Sequence, residues 1–393
     1  MQRSLPVLAV LVACRGDERV ASDASSHPTV SSAEPTPVVA KVEQPAAPVV
    51  GAPPVRKDGT VFAQSELMGT SVSVNVWVDP DRSATEAGVA IQAAFDEIAR
   101  LEAMMSEWKP DSEVTRFNEN AGGEPTKLSP ELFEVLRRSR EVSAATDGAF
   151  DITFYGVGKL WKFDKGSTPP ARDEIERRRP LIDWRKIELD AGTRNGRLVT
   201  QGMAVGLGAI AKGYAVDKAS AVLRERGFYN HVVEGGGDTY VSGTKAGKPW
   251  MVGVQDPDKK GVLGALPSSD ISVVTSGDYE RYFDHEGKRY AHIFDPRTGW
   301  PLEQASSAKS ITLIAANATD ADAYATAVAV MGPERGMAFV EAHAGTLDAI
   351  IITRQDEVLM SSGVRDRFVW APDRGPDPGA APRDDSKRAA DSG

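Results

Sequence analysis

With 393 residues, 41% of them hydrophobic and 26% charged, the chain is long enough for a substantial core and has the composition of a globular protein. Its net charge of −10 argues against a nucleic-acid partner, which would need a basic face. The single cysteine, Cys14, excludes an intramolecular disulfide and any cysteine-built metal site.

Met1-Gln2-Arg3 is a short basic start, Ser4 to Val12 is mostly apolar, and Leu11-Val12-Ala13-Cys14 closes the run. The run is too short to span a membrane and fits a secretory signal. Leu-Val-Ala-Cys resembles a bacterial lipobox. That predicts a lipoprotein-type signal peptide over 1–14 and an exported chain held to a bacterial membrane by a lipid on Cys14, facing the periplasm. An ordinary signal peptide is the alternative. Residues 15–58, rich in Ala, Pro, Ser and Val, cannot bury enough apolar surface to order themselves and read as a tether; 372–393 reads as a similar tail. The folded domain is then 59–371.

Within it, Ser71 to Val78 alternates strictly and predicts a strand. Apolar residues at helical spacing from Thr85 to Met104 predict a helix, and Met105 to Ser112 a loop. Ser129-Pro130-Glu131 supplies a cap, a first-turn proline and an acid for a helix through Val142. Glu188–Asp190 and Arg197–Thr200 read as a hairpin around Arg194-Asn195-Gly196. A helix runs from about Ala211 to Arg226. Strands follow at His231–Val233, Thr239–Ser242, Trp250–Val254 and Ile271–Thr275, with Gly235 to Asp238 and Ser276 to Asp278 as turns. Arg289 to Phe294 reads as a strand ended by the turn Asp295-Pro296-Arg297-Thr298-Gly299. Ser310–Ile314, Asp348–Thr353 and Val358–Ser361 are strands; Thr319–Met331 and Pro333–Ala344 are helices. Irregular order and several hairpins favour α+β over a regularly alternating parallel fold.

Four segments carry chemical content. Gly206-x-Gly208-x-x-Ala211 before a helix imitates a dinucleotide fingerprint, with backbone amides able to approach a pyrophosphate and Lys212 adding a charge. Such turns are common, and the next strand does not simply end in a ribose-binding acid. Gly235-Gly236-Gly237-Asp238 has no bulk and one carboxylate; it suits a ligand pressed on main chain, or a plain hairpin. Asp322 and Thr326, four apart on one helix, offer oxygen-only ligation that suits Mg²⁺ with waters and phosphates, or else cap and back-bond their helix. His292 beside the Asp295–Gly299 turn is placed to meet a ligand or to hold structure.

Together these pieces resemble the ApbE-type FAD:protein FMN transferases. The matching segments, in order, are Met68-Gly69-Thr70, MSEWKPDSEVTRFN (105–118), GAFD (148–151), GAIAKGYAVD (208–217), GGD (236–238), TSGDYERYF (275–283), Tyr290 to Gly299 and Asp322 to Thr326. The resemblance implies a single α+β flavin transferase domain with mixed or antiparallel sheets and flanking helices. It also implies that FAD is the substrate, that Mg²⁺ is required, and that the FMN half is transferred to a Thr or Ser hydroxyl of a target protein with release of AMP. Met68, Trp108, Ala149, Phe150, Asp151 and Lys212 would line the FAD site, with Asp238 in the same cavity and Ile293 touching the nucleotide. Asp322 and Thr326 would hold the metal together with the main-chain carbonyl of Ala209. His292 would be the catalytic base, and Arg297 would contact phosphate or, as favoured here, hold its turn. Gly206 and Glu234 stand where the family commonly has Asp and Asn. Family targets carry Asp-x-x-Thr/Ser-Gly-Ala-Thr/Ser, a segment this chain lacks. Two alternatives stay open: hydrolysis of FAD to FMN and AMP by the same site, and flavin binding without turnover.

Overall fold

The computed structural model describes residues 54–372, apart from 165, 259–260, 278–281 and 304–306. The expected signal peptide, Cys14, most of the tether and nearly all of the tail lie outside the described residues, as does Asp278 of the expected turn.

Strand β1 (Thr60–Leu67) turns at Met68-Gly69 into β2 (Thr70–Trp77). Helix α1 (Ala84–Met105) follows, capped by Ser83, whose side chain accepts from Glu86 N while Glu86 reaches back. Helix α2 (Pro130–Ala145) starts at the expected Ser129 cap. Beyond α3 (Ala211–Glu225) come β3 (His231–Gly235), β4 (Asp238–Ser242), β5 (Trp250–Gln255), β6 (Val262–Ser268) and β7 (Ile271–Gly277). The chain ends with β8 (Ser310–Ala315), α4 (Ala318–Met331), α5 (Pro333–Ala342), β9 (Leu347–Ile352), β10 (Val358–Met360) and β11 (Val369–Trp370). Eight strands form one antiparallel sheet in the order β1-β2-β3-β4-β7-β8-β9-β10; β11-β6-β5 form a smaller one. Both are antiparallel throughout, so the fold is α+β as the sequence implies.

The alternation of β2 explains the layering. Val72, Val74 and Val76 point into the main core against α1 and α3, while Ser73 and Asn75 point to the opposite face. That opposite face splits in two. Val273, Ile314 and Ile350 are covered by Val254, Leu263, Leu266 and Phe368 in a second core. The β1–β4 half mixes Ser73, Asn75, Glu234 and Thr239 with Phe62 and Val232 and borders the cleft described below.

Three expectations need correction. Asn195-Gly196 is not the hairpin turn: it lies inside the strand Asn195–Leu198, because Asp190 closes the turn earlier by accepting from Gly192 N and the Thr193 hydroxyl. Ser276 and Gly277 continue β7, paired with Ile311 and Ser310. Gly235 and Asp238 are paired strand residues, which shrinks the expected loop to Gly236-Gly237.

Two buried polar groups tie the helices to the sheet. His231 is sealed from solvent, with Nδ1 2.8 Å from Phe228 O and Nε2 2.8 Å from Ser220 Oγ. Burial pushes its pKa down to about 4, so it is neutral: Nδ1–H donates to the carbonyl and Nε2 accepts from the hydroxyl. Asp217, inside α3, accepts from Ala318 N at 2.8 Å, Thr319 N at 2.9 Å and the Thr319 hydroxyl, and so caps α4 from another helix. Asn317 caps α4 locally, its side-chain oxygen accepting from Asp320 N, and the Asp320 carboxylate pairs with Arg138. Asp217→Ala leaves three donors without an acceptor and is expected to cost about 3 kcal/mol, read as a lower urea midpoint at unchanged m-value. A loss under 1 kcal/mol would show that the α3–α4 junction does not depend on this carboxylate.

Candidate active site

A cleft of about 2800 Å³ opens between the start of α3, the β1–β2 turn, the loop after α1 and the segment around His292. Its floor is where α3 crosses α4. The helices approach so closely at Gly213 that a Cβ there would lie 2.1 Å from Ala318 O and 3.0 Å from Asp322 Cβ. Only glycine permits that contact, and it brings Lys212, one residue earlier, against the buried carboxylates. Lys212 Nζ lies 2.9 Å from Asp238 Oδ2 and 3.4 Å from both oxygens of Asp322. Asp238 and Asp322 are 1% and 2% exposed, so the lysine bridges two carboxylates almost without water. Burial, with Asp322 facing it, pushes Asp238 well above the usual carboxylate range, and Lys212 opposes that shift.

The expected cradle of helix-end amides is largely spent inside the protein. Ile210 N and Ala211 N both donate to Leu207 O, and Gly213 N donates to Asp322 Oδ2 at 3.2 Å. The positive charge at the start of α3 is therefore chiefly the Lys212 ammonium.

The donors for a cation are oxygens. Asp322 and Thr326, i and i+4 on α4, both line the cleft, as does Ala209 just before α3. Among the described residues, no group of three or more His, Cys, Asp or Glu converges as a metal site. One carboxylate, one hydroxyl and one carbonyl nevertheless fit Mg²⁺, which keeps waters and takes phosphate oxygens rather than an all-protein cage.

The walls come from distant parts of the chain. Met68 has φ 53° in the β1–β2 turn and donates its N–H to Glu102 Oε2 at 2.6 Å. The other oxygen of Glu102 pairs with Lys109 at 3.1 Å, so a single acid near the end of α1 fixes both the turn and the loop bearing Trp108. Trp108 is 73% exposed at the rim, an indole with most of one surface uncovered. Ala149 and the buried Phe150 line the same cleft. Asp151 borders the cleft, but its carboxylate faces inward, accepting from Thr153 N, the Thr153 hydroxyl and Trp184 N at 2.6–3.0 Å. Burial raises its pKa to about 6 against those bonds.

His292 does not lie on a strand. The strand ends at Ala291, His292 forms a bend, and Phe294-Asp295 then pairs with Trp300-Pro301 around the turn. The break follows from the turn: Asp295 Oδ1 accepts from Arg297 N, its carbonyl accepts from Thr298 N and Gly299 N, and the Arg297 guanidinium closes onto its carboxylate at 2.7 Å. Leu302 N donates to Ile293 O at 2.9 Å, holding the base of this small hairpin. Behind it, Trp161 packs edge-on to Phe294 and Trp300, and Phe154 stacks on Phe294 at 5.4 Å. The half-buried His292 and Ile293 thus face the cleft from a rigid aromatic platform.

Met68, Trp108, Ala149, Phe150, Asp151, Ala209, Lys212, His292, Ile293, Asp322 and Thr326 all line this one cleft. Asp238 lies beneath it, on Lys212. Sequence reasoning missed Glu102, Asp217 and the aromatic platform. Asp217 carries no local signal of its partner, and Glu102, four residues after Ile98 and seven after Phe95, is a charge on the apolar stripe of α1 whose partner the sequence does not name. The spacing of Phe154, Trp161, Phe163, Phe283, Phe294 and Trp300 gives no period.

Comparison with known proteins agrees with this geometry. A model of the ApbE family matches residues 68–351. The chain is 34% identical over 325 residues to a FAD:protein FMN transferase of Treponema pallidum (strain Nichols), covering 78% of this chain and 88% of the relative. It is 32% identical over 316 residues to one of Klebsiella pneumoniae (strain 342), covering 79% and 95%. Among solved structures it resembles the ApbE protein of Thermotoga maritima, with TM-score 0.71, 30% identity and coverage of 78% of this chain and 99% of that one. It also resembles the flavin transferase ApbE of Vibrio cholerae, with TM-score 0.69, 28% identity and coverage of 78% and 99%.

Proposed function

The chain belongs to the ApbE family, and from that premise we propose that it transfers the FMN part of FAD to a Thr or Ser hydroxyl of an acceptor protein and releases AMP. The observation that carries the reading is the convergence in one cleft of a lysine held by two buried carboxylates, an oxygen-donor pair on α4 and His292 on its platform.

Lys212 would take the pyrophosphate, its ammonium oriented by Asp238 and Asp322 rather than mobile. Trp108 and Phe150 offer the flat and apolar surfaces that a dinucleotide's rings need. His292 accepts the proton of the acceptor hydroxyl. The acceptor oxygen then forms a bond to the FMN phosphorus, the bond from that phosphorus to the bridging oxygen breaks, and AMP leaves with the electron pair. Mg²⁺ held by Asp322, Thr326 and the Ala209 carbonyl would neutralise the phosphate oxygens as charge develops. Asp151, its carboxylate turned inward, shapes the wall and does no proton chemistry. Export and a lipid on Cys14 would place this site outside the cytoplasm, beside acceptors of the same compartment.

The test is incubation of the chain with FAD, Mg²⁺ and a protein carrying an Asp-x-x-Thr-Gly-Ala-Thr segment. The expected result is an acceptor heavier by one FMN, with one AMP released per modification. AMP without acceptor modification would assign hydrolysis instead, and neither product would remove the enzymatic reading.

A further inference from the structure

The cleft is several times larger than the roughly 300–1,000 Å³ of an ordinary small-molecule site. Part of it lies over the β1–β4 half of the main sheet. Cross-strand register puts Ser73, Glu234 and Thr239 in one row of that face, with Asn75 in the next. The wall above is β5, of which residues 250–253 and 255 all border the cleft. A strand that showed the cleft one face would contribute only alternate residues; a nearly unbroken run is what its edge presents. Among the described residues β5 has β6 as its sole strand partner.

The register gives the direction of that edge. Met251 stands opposite Pro267, which has no N–H to exchange. Leu263 O accepts from Ala371 N on the far side of β6, and by alternation Ala265 and Pro267 turn that way too; the Met251 pair is then a non-hydrogen-bonded one, and the N–H and C=O of Met251, and by alternation those of Gly253, point away from β6. Two side-chain groups bordering the same space are also unsatisfied. Asn75 Oδ1 and Trp250 Nε1 are buried without a hydrogen-bond partner, on residues each 4% exposed. The space joins the catalytic floor through Gly236-Gly237, where a Cβ on Gly236 (φ +60°) would strike Thr70 at 2.9 Å. Asp238, the partner of Lys212, follows directly.

We propose that this groove is the docking surface for the acceptor protein: its hydroxyl-bearing segment lies extended along the free edge of β5, over Ser73, Asn75 and Glu234, and so delivers the hydroxyl to His292. This rests on the FMN-transfer reading and adds where the second substrate binds. An extended polypeptide is the occupant that uses what the groove offers. Its backbone matches an open strand edge, as in strand addition, and its polar groups satisfy Asn75 and Trp250. The reaction also requires a protein hydroxyl in this cleft.

The test uses the full chain, FAD, Mg²⁺ and the acceptor protein described above, with steady-state transfer as readout. Met251→Pro removes an outward N–H and leaves the β5–β6 ladder its bonds; Asn75→Ala removes an unsatisfied floor group without touching β5. Each is expected to raise the acceptor KM about tenfold while FAD affinity, followed by flavin fluorescence, stays within about twofold. Asn75→Ala carries the test if Met251→Pro lowers the thermal midpoint. An acceptor KM unchanged in both variants overturns the proposal, and so does a parallel loss of FAD affinity, which would give the groove to the nucleotide. No transfer by the unaltered chain overturns the FMN-transfer reading itself, and the docking surface with it.

Discussion

His292→Ala is expected to lower the rate constant of FMN transfer about 10³-fold while leaving FAD affinity within about threefold. The size follows from the role, because a positioned general base contributes roughly 10²–10⁴. The separation of rate from binding follows from the geometry. His292 occupies a bend between the strand Lys288–Ala291 and the small hairpin at Phe294, and the ring packing behind that hairpin is built from Trp161, Phe154, Phe294 and Trp300. Removing the ring therefore leaves the Asp295–Arg297 closure and the Leu302–Ile293 bond intact. The lysine that would hold the pyrophosphate is on another element, fixed by Asp238 and Asp322. Single-turnover transfer at saturating FAD, with FAD titration by fluorescence, checks both parts. A rate within tenfold of the unaltered chain would take the base role from His292. A collapse of FAD affinity would make it a binding residue instead.

What the sequence discloses, and what it hides, follows from where each interaction is made. Helix α1, the Ser129 cap and the alternation of β2 are legible because propensity, period and burial agree over a local window. Strand β1 is not, since Thr60–Leu67 mixes polar and apolar residues at the sheet edge, where among the described residues one side has no strand partner to satisfy. Strand β6 hides for a related reason. Pro267 and Gly264 argue against a strand, yet Pro267 occupies a position that exchanges no bond, and Gly264 makes room for Phe368, 2.5 Å from where a Cβ would stand. The run Arg289–Phe294 misleads in the other direction, its aromatic content suggesting one strand where the Asp295 turn imposes a second, shorter pairing. The cleft's residues were legible as a set through motif resemblance, and the structure brings them together. Their supports were not. Glu102 reaches Met68 across 34 positions and Asp217 reaches Thr319 across 102, and no periodicity encodes such partners.

Asp322→Asn should abolish Mg²⁺-dependent turnover, by about 10³-fold, with little loss of folding stability. The substitution keeps the shape and an oxygen able to accept from Gly213 N, so the α3–α4 crossing at Gly213 survives. What changes is charge. In the unaltered chain the Asp322 carboxylate, beside Lys212, would supply the one charged oxygen donor to a divalent cation. With asparagine that charged donor is gone, while Asp238 still holds Lys212 at 2.9 Å. The remaining Thr326 hydroxyl and Ala209 carbonyl are neutral donors that cannot compete with water for Mg²⁺. Losing the charge that stabilises developing phosphate oxygens costs on the order of 10²–10³ in rate for a single group, and more where a cation goes with it. Isothermal titration with Mg²⁺ in the presence of FAD, beside turnover and the urea midpoint, separates the possibilities. Magnesium affinity and turnover both within threefold of the unaltered chain would remove Asp322 from the metal site and leave it a structural acceptor for α3. A large fall in the urea midpoint would show that the carboxylate's charge, paired with Lys212, holds the two helices together as well. Lost turnover at unchanged stability is the outcome that a metal-binding carboxylate requires and that a merely structural acceptor does not produce.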